Sequence, residues 1–124
     1  MKLQIVQPQE VEVFYILPAI RSSMASALKE QGMRQKDIAE LLCVQESTVS
    51  QYLSAKRAAE VKLGSAIDRK IAIAVKRIKG REDLIRETQQ ILAMARKEKV
   101  VCTAHKAVAD VPHGCDVCFF GAKP

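Results

Sequence analysis

Aromatic residues are scarce in this chain, 4% of its length with no tryptophan, so any core must rest on Ile, Leu, Val and Ala. The overall apolar share of 48% is ample for such a core. Long apolar runs are also missing. The longest, VFYILPAI at 13–20, contains Pro18 and falls well short of the ~20 uninterrupted apolar residues of a membrane span. The N-terminus has Lys2 followed by Gln4, Gln7 and Gln9, without the apolar centre or cleavage site of a signal peptide. These absences point to a cytoplasmic protein with no membrane partner. Its four cysteines are then expected as thiols or metal ligands rather than as a disulfide framework. Gly/Ser linkers, low-complexity runs and internal repeats are absent too. So are a Gly-rich phosphate loop, a Ser/His/Asp set and a carboxylate pair in a cleft-forming context, and no enzyme is expected.

The chain does carry charge, and it is unevenly placed. The net formal charge is +6. Residues 1–33 and 82–124 are each balanced, and 34–53 come to −1. Segment 54–81 has Lys56, Arg57, Lys62, Arg69, Lys70, Lys76, Arg77, Lys79 and Arg81 against Glu60 and Asp68. That segment is +7 and supplies the whole excess. A basic stripe is ordinarily a solvated surface; beside a recognition motif it has the makings of a phosphate-facing footprint.

Apolar spacing is helical almost throughout. Val13, Leu17, Ile20, Met24, Ala27 and Leu28 recur at three and four, with a kink or restart expected at Pro18 and a stop at Gly32. Short helices are expected at about 35–42 (Ile38, Ala39, Leu41 and Leu42 inward) and 46–54 (Val49, Tyr52 and Leu53 inward). Ile67, Ile71, Ala74, Val75 and Ile78 make a fourth apolar face, stopped by Gly80. Leu84, Thr88, Ile91, Leu92 and Ala95 make a fifth. From residue 100 onward periodicity fades while Gly, Pro, Cys and His appear. The expected fold is all-α: about five helices forming a domain over 1–98, then a short irregular Cys/His extension over 99–124.

IAELLCVQESTVSQYL at 38–53 is the most informative stretch. Two short helices that cross steeply need a small residue at their contact and a tight turn between them. Ala39 supplies the first, and Cys43-Val44 stand at the second. Val49 and Leu53 anchor the second helix from beneath. Its outer side carries Gln45, Glu46, Ser47, Ser50 and Gln51, with Thr48 beside them. Short hydrogen-bonding side chains of this kind suit base edges and phosphates in a major groove. The bland alternative is an ordinary pair of amphipathic helices; spacing, anchors, polar face and basic flank together favour a helix-turn-helix at about 35–54.

The segment resembles the XRE-type helix-turn-helix regulators. The resemblance rests on Gln35-Lys36-Asp37-Ile38-Ala39, Leu42-Cys43-Val44, Thr48-Val49-Ser50-Gln51-Tyr52-Leu53 and Ser54-Ala55-Lys56-Arg57. More specifically, the chain looks like a group of small prokaryotic regulators that pair such a module, preceded by a long apolar helix like EVFYILPAIRSSMASAL, with a cysteine-containing tail, the tail matching only loosely. The resemblance covers about residues 10–60 and implies a homodimeric transcription regulator that binds double-stranded DNA through its second helix. Lys56 and Arg57 would bind the DNA backbone. The first helix and that at about 82–97 are candidates for dimer contacts. One residue departs from the pattern: where the family usually has glycine, this chain has Cys43. A left-handed backbone there should cost about 1 kcal/mol with a side chain present. A cysteine at such a position otherwise behaves as a small buried hydrophobe.

The C-terminal stretch CTAHKAVADVPHGCDVCFF pairs Cys102 with His105 and Cys115 with Cys118, each across two residues. Such pairs can grip one ion, and a Cys₃His set matches tetrahedral zinc. His113 can replace His105 in the set. An iron–sulfur cluster is the alternative cofactor, which would make the chain a redox-sensing regulator. A thiol oxidoreductase working through Cys115 and Cys118 would need a βαβ context that is not evident. A protein-interaction adaptor whose helix-turn-helix no longer binds DNA is opposed by the basic segment.

Overall fold

The computed structural model describes residues 7–54 and 61–108. They form six helices: α1 (Pro8–Glu30), α2 (Gln35–Leu42), α3 (Glu46–Leu53), α4 (Ser65–Ala74), α5 (Arg81–Lys97) and α6 (Val100–Val108). Among the described residues there is no strand. α1 is the axle of the fold. Its C-terminal half packs against α2, α3, α4 and α5, and its N-terminal half against α6. α2 also meets α5, and α5 meets both α4 and α6.

α1 begins with Pro8 at the first helical turn, where a missing N–H is harmless. The Glu10 carboxylate accepts the Gln7 N–H at 3.1 Å as half of a capping box. Pro18 would ordinarily crowd the carbonyl four residues back and break the helix. The chain instead widens into a π-turn over Glu12–Ile16, where the Leu17 N–H bonds back five residues to the Glu12 carbonyl, and then continues α-helically as Leu17–Glu30. A wide turn directly before proline relieves the crowding and keeps the axis running.

The π-turn changes which side chains face inward. Val11 and Ile16, five residues apart, are both fully buried, followed by Ala19, Ile20, Met24, Ala25 and Leu28. Val13, expected inward from α-helical spacing, is 56% exposed, and Leu17 is only partly buried. An expectation of 3.6 residues per turn fails here because one turn holds more. By length and composition α1 is apolar enough to cross a membrane, but its buried face belongs to this core.

Burying a large aliphatic side chain such as Ile20, Ile38, Ile67 or Ile91 contributes about 1.5–3 kcal/mol. The fourth apolar face is as expected: Ile67, Ile71, Ala74, Val75 and Ile78 are all buried. α4 itself ends at Ala74, and Gly80 caps α5 instead of stopping α4. At the start of α5 the Asp83 carboxylate accepts the Lys79 N–H at 3.0 Å and pairs with Arg86. The Lys79 bond, then Arg86, hold its pKa below the ordinary value.

Two departures from the sequence expectation stand out. The C-terminal stretch is not irregular from its start: Val100–Val108 is helical, and Val101 and Ala104 lie in the core. The helical body therefore runs past residue 98. The signal was faint because its buried anchors, Val101 and Ala104, are small. The second departure is an acid on an apolar face. Glu12 is buried at 7% exposure and receives Arg96 in a bidentate pair, Nε to Oε2 at 2.6 Å and Nη2 to Oε1 at 2.9 Å. The carboxylate hydrogen bond raises the Arg96 pKa further.

Candidate nucleic-acid interface

α2 and α3 meet through a turn whose geometry is fixed by three residues. Cys43 holds φ 58 and ψ 41, the left-handed region. Its N–H reaches the Glu40 carbonyl at 3.3 Å, and the Val44 N–H reaches the Ala39 carbonyl at 3.0 Å. This is a Schellman stop, which satisfies the last carbonyls of α2 while reversing the chain. Gln45 then returns to extended backbone (φ −76, ψ 152) and starts α3. Its carbonyl accepts the N–H groups of Thr48 and Val49 at 3.0 and 3.2 Å. Ala39, buried at the contact, lets the two helices approach closely.

The expected anchors are in place. Val49 and Tyr52 are buried and Leu53 packs partly against the core. The Ser22 hydroxyl of α1 donates to the Tyr52 carbonyl at 3.3 Å, tying the end of α3 to the axle helix. The other side of α3 is open: Gln45, Glu46, Ser47, Ser50 and Gln51 are exposed, and Thr48 is half-buried. Positions 47, 50, 51 and 54 follow helical spacing, so one continuous polar strip faces outward. Ser54 turns its hydroxyl back onto the Gln51 carbonyl at 3.1 Å. Arg34 and Asp37 pair at 3.2 Å at the entry to α2.

Of the basic segment, Lys62, Arg69, Lys76, Arg77, Lys79 and Arg81 are exposed and Lys70 is half-buried. Lys56 and Arg57, the expected backbone-binding pair, lie outside the described residues. Cys43 is exposed, not a small buried hydrophobe; its place is set by backbone geometry.

The candidate metal ligands divide in the same way. Cys102 and His105 are half-buried, one turn apart on α6. Cys115 and Cys118, and the substitute His113, lie outside the described residues. Among the described residues no three His, Cys, Asp or Glu side chains are grouped to hold a metal ion. A pair at i and i+3 on a helix projects both donors to one side, which suits half of a tetrahedral site.

Sequence reasoning missed the Ser22–Tyr52 tie and the Glu12–Arg96 clamp. The clamp did leave a trace, since Glu12 sits one position from Val11 and four from Ile16, within the buried face once the π-turn is allowed for. No curated protein and no solved structure matches the chain. Residues 24–72 match the helix-turn-helix family model, from the middle of α1 into α4. With its left-handed turn, buried anchors and open polar helix, this segment is an XRE-type helix-turn-helix, the domain of DNA-binding transcription regulators.

Proposed function

We propose that this chain is a sequence-specific transcription regulator that acts as a homodimer in the cytoplasm, places α3 in the major groove of double-stranded DNA, and carries a zinc site of Cys102, His105, Cys115 and Cys118. The observation that carries the DNA reading is the polar strip of α3 held on buried Val49 and Tyr52. Gln45 and Gln51 have the amide geometry to bond adenine in a bidentate manner, and Glu46 can accept from cytosine. Ser47, Thr48 and Ser50 offer hydroxyls to bases or phosphates. Lys56, Arg57 and the exposed cations of 62–81 supply the salt-dependent attraction to the DNA backbone. The role is binding, not catalysis.

The test is selection of a binding site from random duplexes, followed by affinity measurements across salt. Gln51→Ala is expected to relax preference at one position per half-site by about 1–3 kcal/mol while sparing nonspecific affinity. Replacing Lys56 and Arg57 by Ala should weaken binding to every sequence and flatten the salt slope by about 0.9 per lost phosphate contact. Absence of DNA binding by the metal-loaded protein at low salt would refute the reading.

A further inference from the structure

The wide turn in α1 leaves an apolar face largely exposed among the described residues. Val13 and Phe14 are 56% and 63% exposed, the two most exposed large apolar side chains of the described residues. Leu17 and Pro18, one turn on, are half-buried. Glu10 and Arg21 bracket this strip at its two ends, Glu10 exposed and Arg21 half-buried. The buried side of the same helix, with Val11, Ile16, Ala19 and Ile20, is already committed to the core. Among the described residues no element buries these two adjacent large apolar side chains, and an apolar patch of this kind marks an interaction surface.

The order of residues along the strip indicates which partner fits. An antiparallel copy of α1, related by a two-fold axis passing between Tyr15 and Ile16, would set Phe14 against Leu17, Val13 against Pro18 and Glu10 against Arg21. Every pairing has the same midpoint, so all are satisfied in one register, and each occurs twice across the axis. Two-fold interfaces demand this self-complementarity, in which residue i meets j and j meets i. The opposite charges at the ends reinforce the antiparallel register, since a parallel pairing would set Glu10 on Glu10. Glu10 has capacity left for this contact: its Oε1 accepts the Gln7 N–H, and a carboxylate has further lone pairs on both oxygens.

We propose that the face of α1 formed by Glu10, Val13, Phe14, Leu17, Pro18 and Arg21 is the dimer interface, with a second copy of this chain as its antiparallel occupant. The inference rests on the dimeric reading above and adds the surface and the register. One helix face is small beside the ~800 Å² per partner of a standard interface, so the dimer should form and dissociate with concentration. The face ends next to Ser22, which holds the Tyr52 carbonyl at the end of α3, while Ser47, Ser50 and Gln51 of α3 are exposed.

Sedimentation velocity of the full chain over a concentration series tests the proposal. The wild type is expected to pass from monomer to dimer. Phe14→Glu, a change at an exposed position, should run as a monomer with unchanged helical circular dichroism. Arg21→Glu sets Glu10 against a new acid and should weaken the dimer, and adding Glu10→Arg should restore it. A folded Phe14→Glu that dimerises like wild type, or a double swap no tighter than Arg21→Glu, overturns this surface while leaving dimerisation by another face intact. A wild type that stays monomeric throughout overturns the dimeric reading as well.

Discussion

At the scale of single residues, Cys43 shows how backbone geometry outranks side-chain type. The turn between α2 and α3 requires φ 58, and Gly32 closes α1 in the same way at φ 91. At Gly32 the sequence meets the requirement directly. At Cys43 a Cβ is carried into the left-handed region, which costs an L-residue about 1–2 kcal/mol. Glycine would remove that strain but adds chain entropy to the unfolded state, so Cys43→Gly should stabilise the protein by about 0.5–1 kcal/mol. Urea unfolding monitored by circular dichroism measures it, with an unchanged m-value expected. Loss of stability would mean that the cysteine side chain makes contacts worth more than the strain.

Elements reveal what was legible and what was not. α2, α3 and the face of α4 could be read from spacing, because each is a regular helix with one apolar side and a marked end. α1 could be read only beyond Pro18. Before it, the π-turn resets the phase, and Val13 and Glu12 exchange the places that α-helical spacing would give them. α6 escaped because Val101 and Ala104 are small anchors, and because its start, left-handed Lys99 at φ 60, has no glycine to announce it. The exposed polar strip of α3 was legible for the opposite reason: short polar side chains alternate with the buried anchors Val49 and Tyr52 at helical spacing. The clamp between Glu12 and Arg96 joins the two least legible parts, the π-turn and the last turn of α5. Its two ends differ. Arg96 is half-exposed and can be rehydrated, whereas Glu12 is nearly buried. Glu12→Ala should therefore cost little, about 1 kcal/mol or less. Arg96→Ala leaves a buried carboxylate without its partner and should cost about 1–3 kcal/mol. The double variant should be no worse than Arg96→Ala alone. Equal costs for the two single changes would show that the pair acts as an ordinary surface salt bridge.

For the whole molecule, the remaining question is what the proposed C-terminal metal site would do to a domain with its own core. α6 is held by Val101 and Ala104 against the rest of the fold, so the helix bearing Cys102 and His105 does not need a metal to form. A zinc ion bound there would join α6 to Cys115 and Cys118, and its binding energy would count toward folding. The expected stoichiometry is about one zinc per chain, measured by elemental analysis of anaerobically purified protein. Changing both Cys115 and Cys118 to Ser should abolish it and open protease cleavage after residue 108, with α6 and the helices before it left intact. α6 packs on the N-terminal half of α1, and the C-terminal half of α1 is tied to α3 through Ser22 and Tyr52. A metal that merely staples the tail leaves operator affinity almost unchanged in the Cys115→Ser, Cys118→Ser variant. A metal that reports through α1 changes that affinity by about 1–3 kcal/mol, the usual size of an allosteric coupling. Iron and sulfide in the fresh protein, with the visible absorption of a cluster, would replace zinc by an iron–sulfur centre on the same ligands. Full protease resistance of 109–124 with no metal of any kind would remove the metal site altogether.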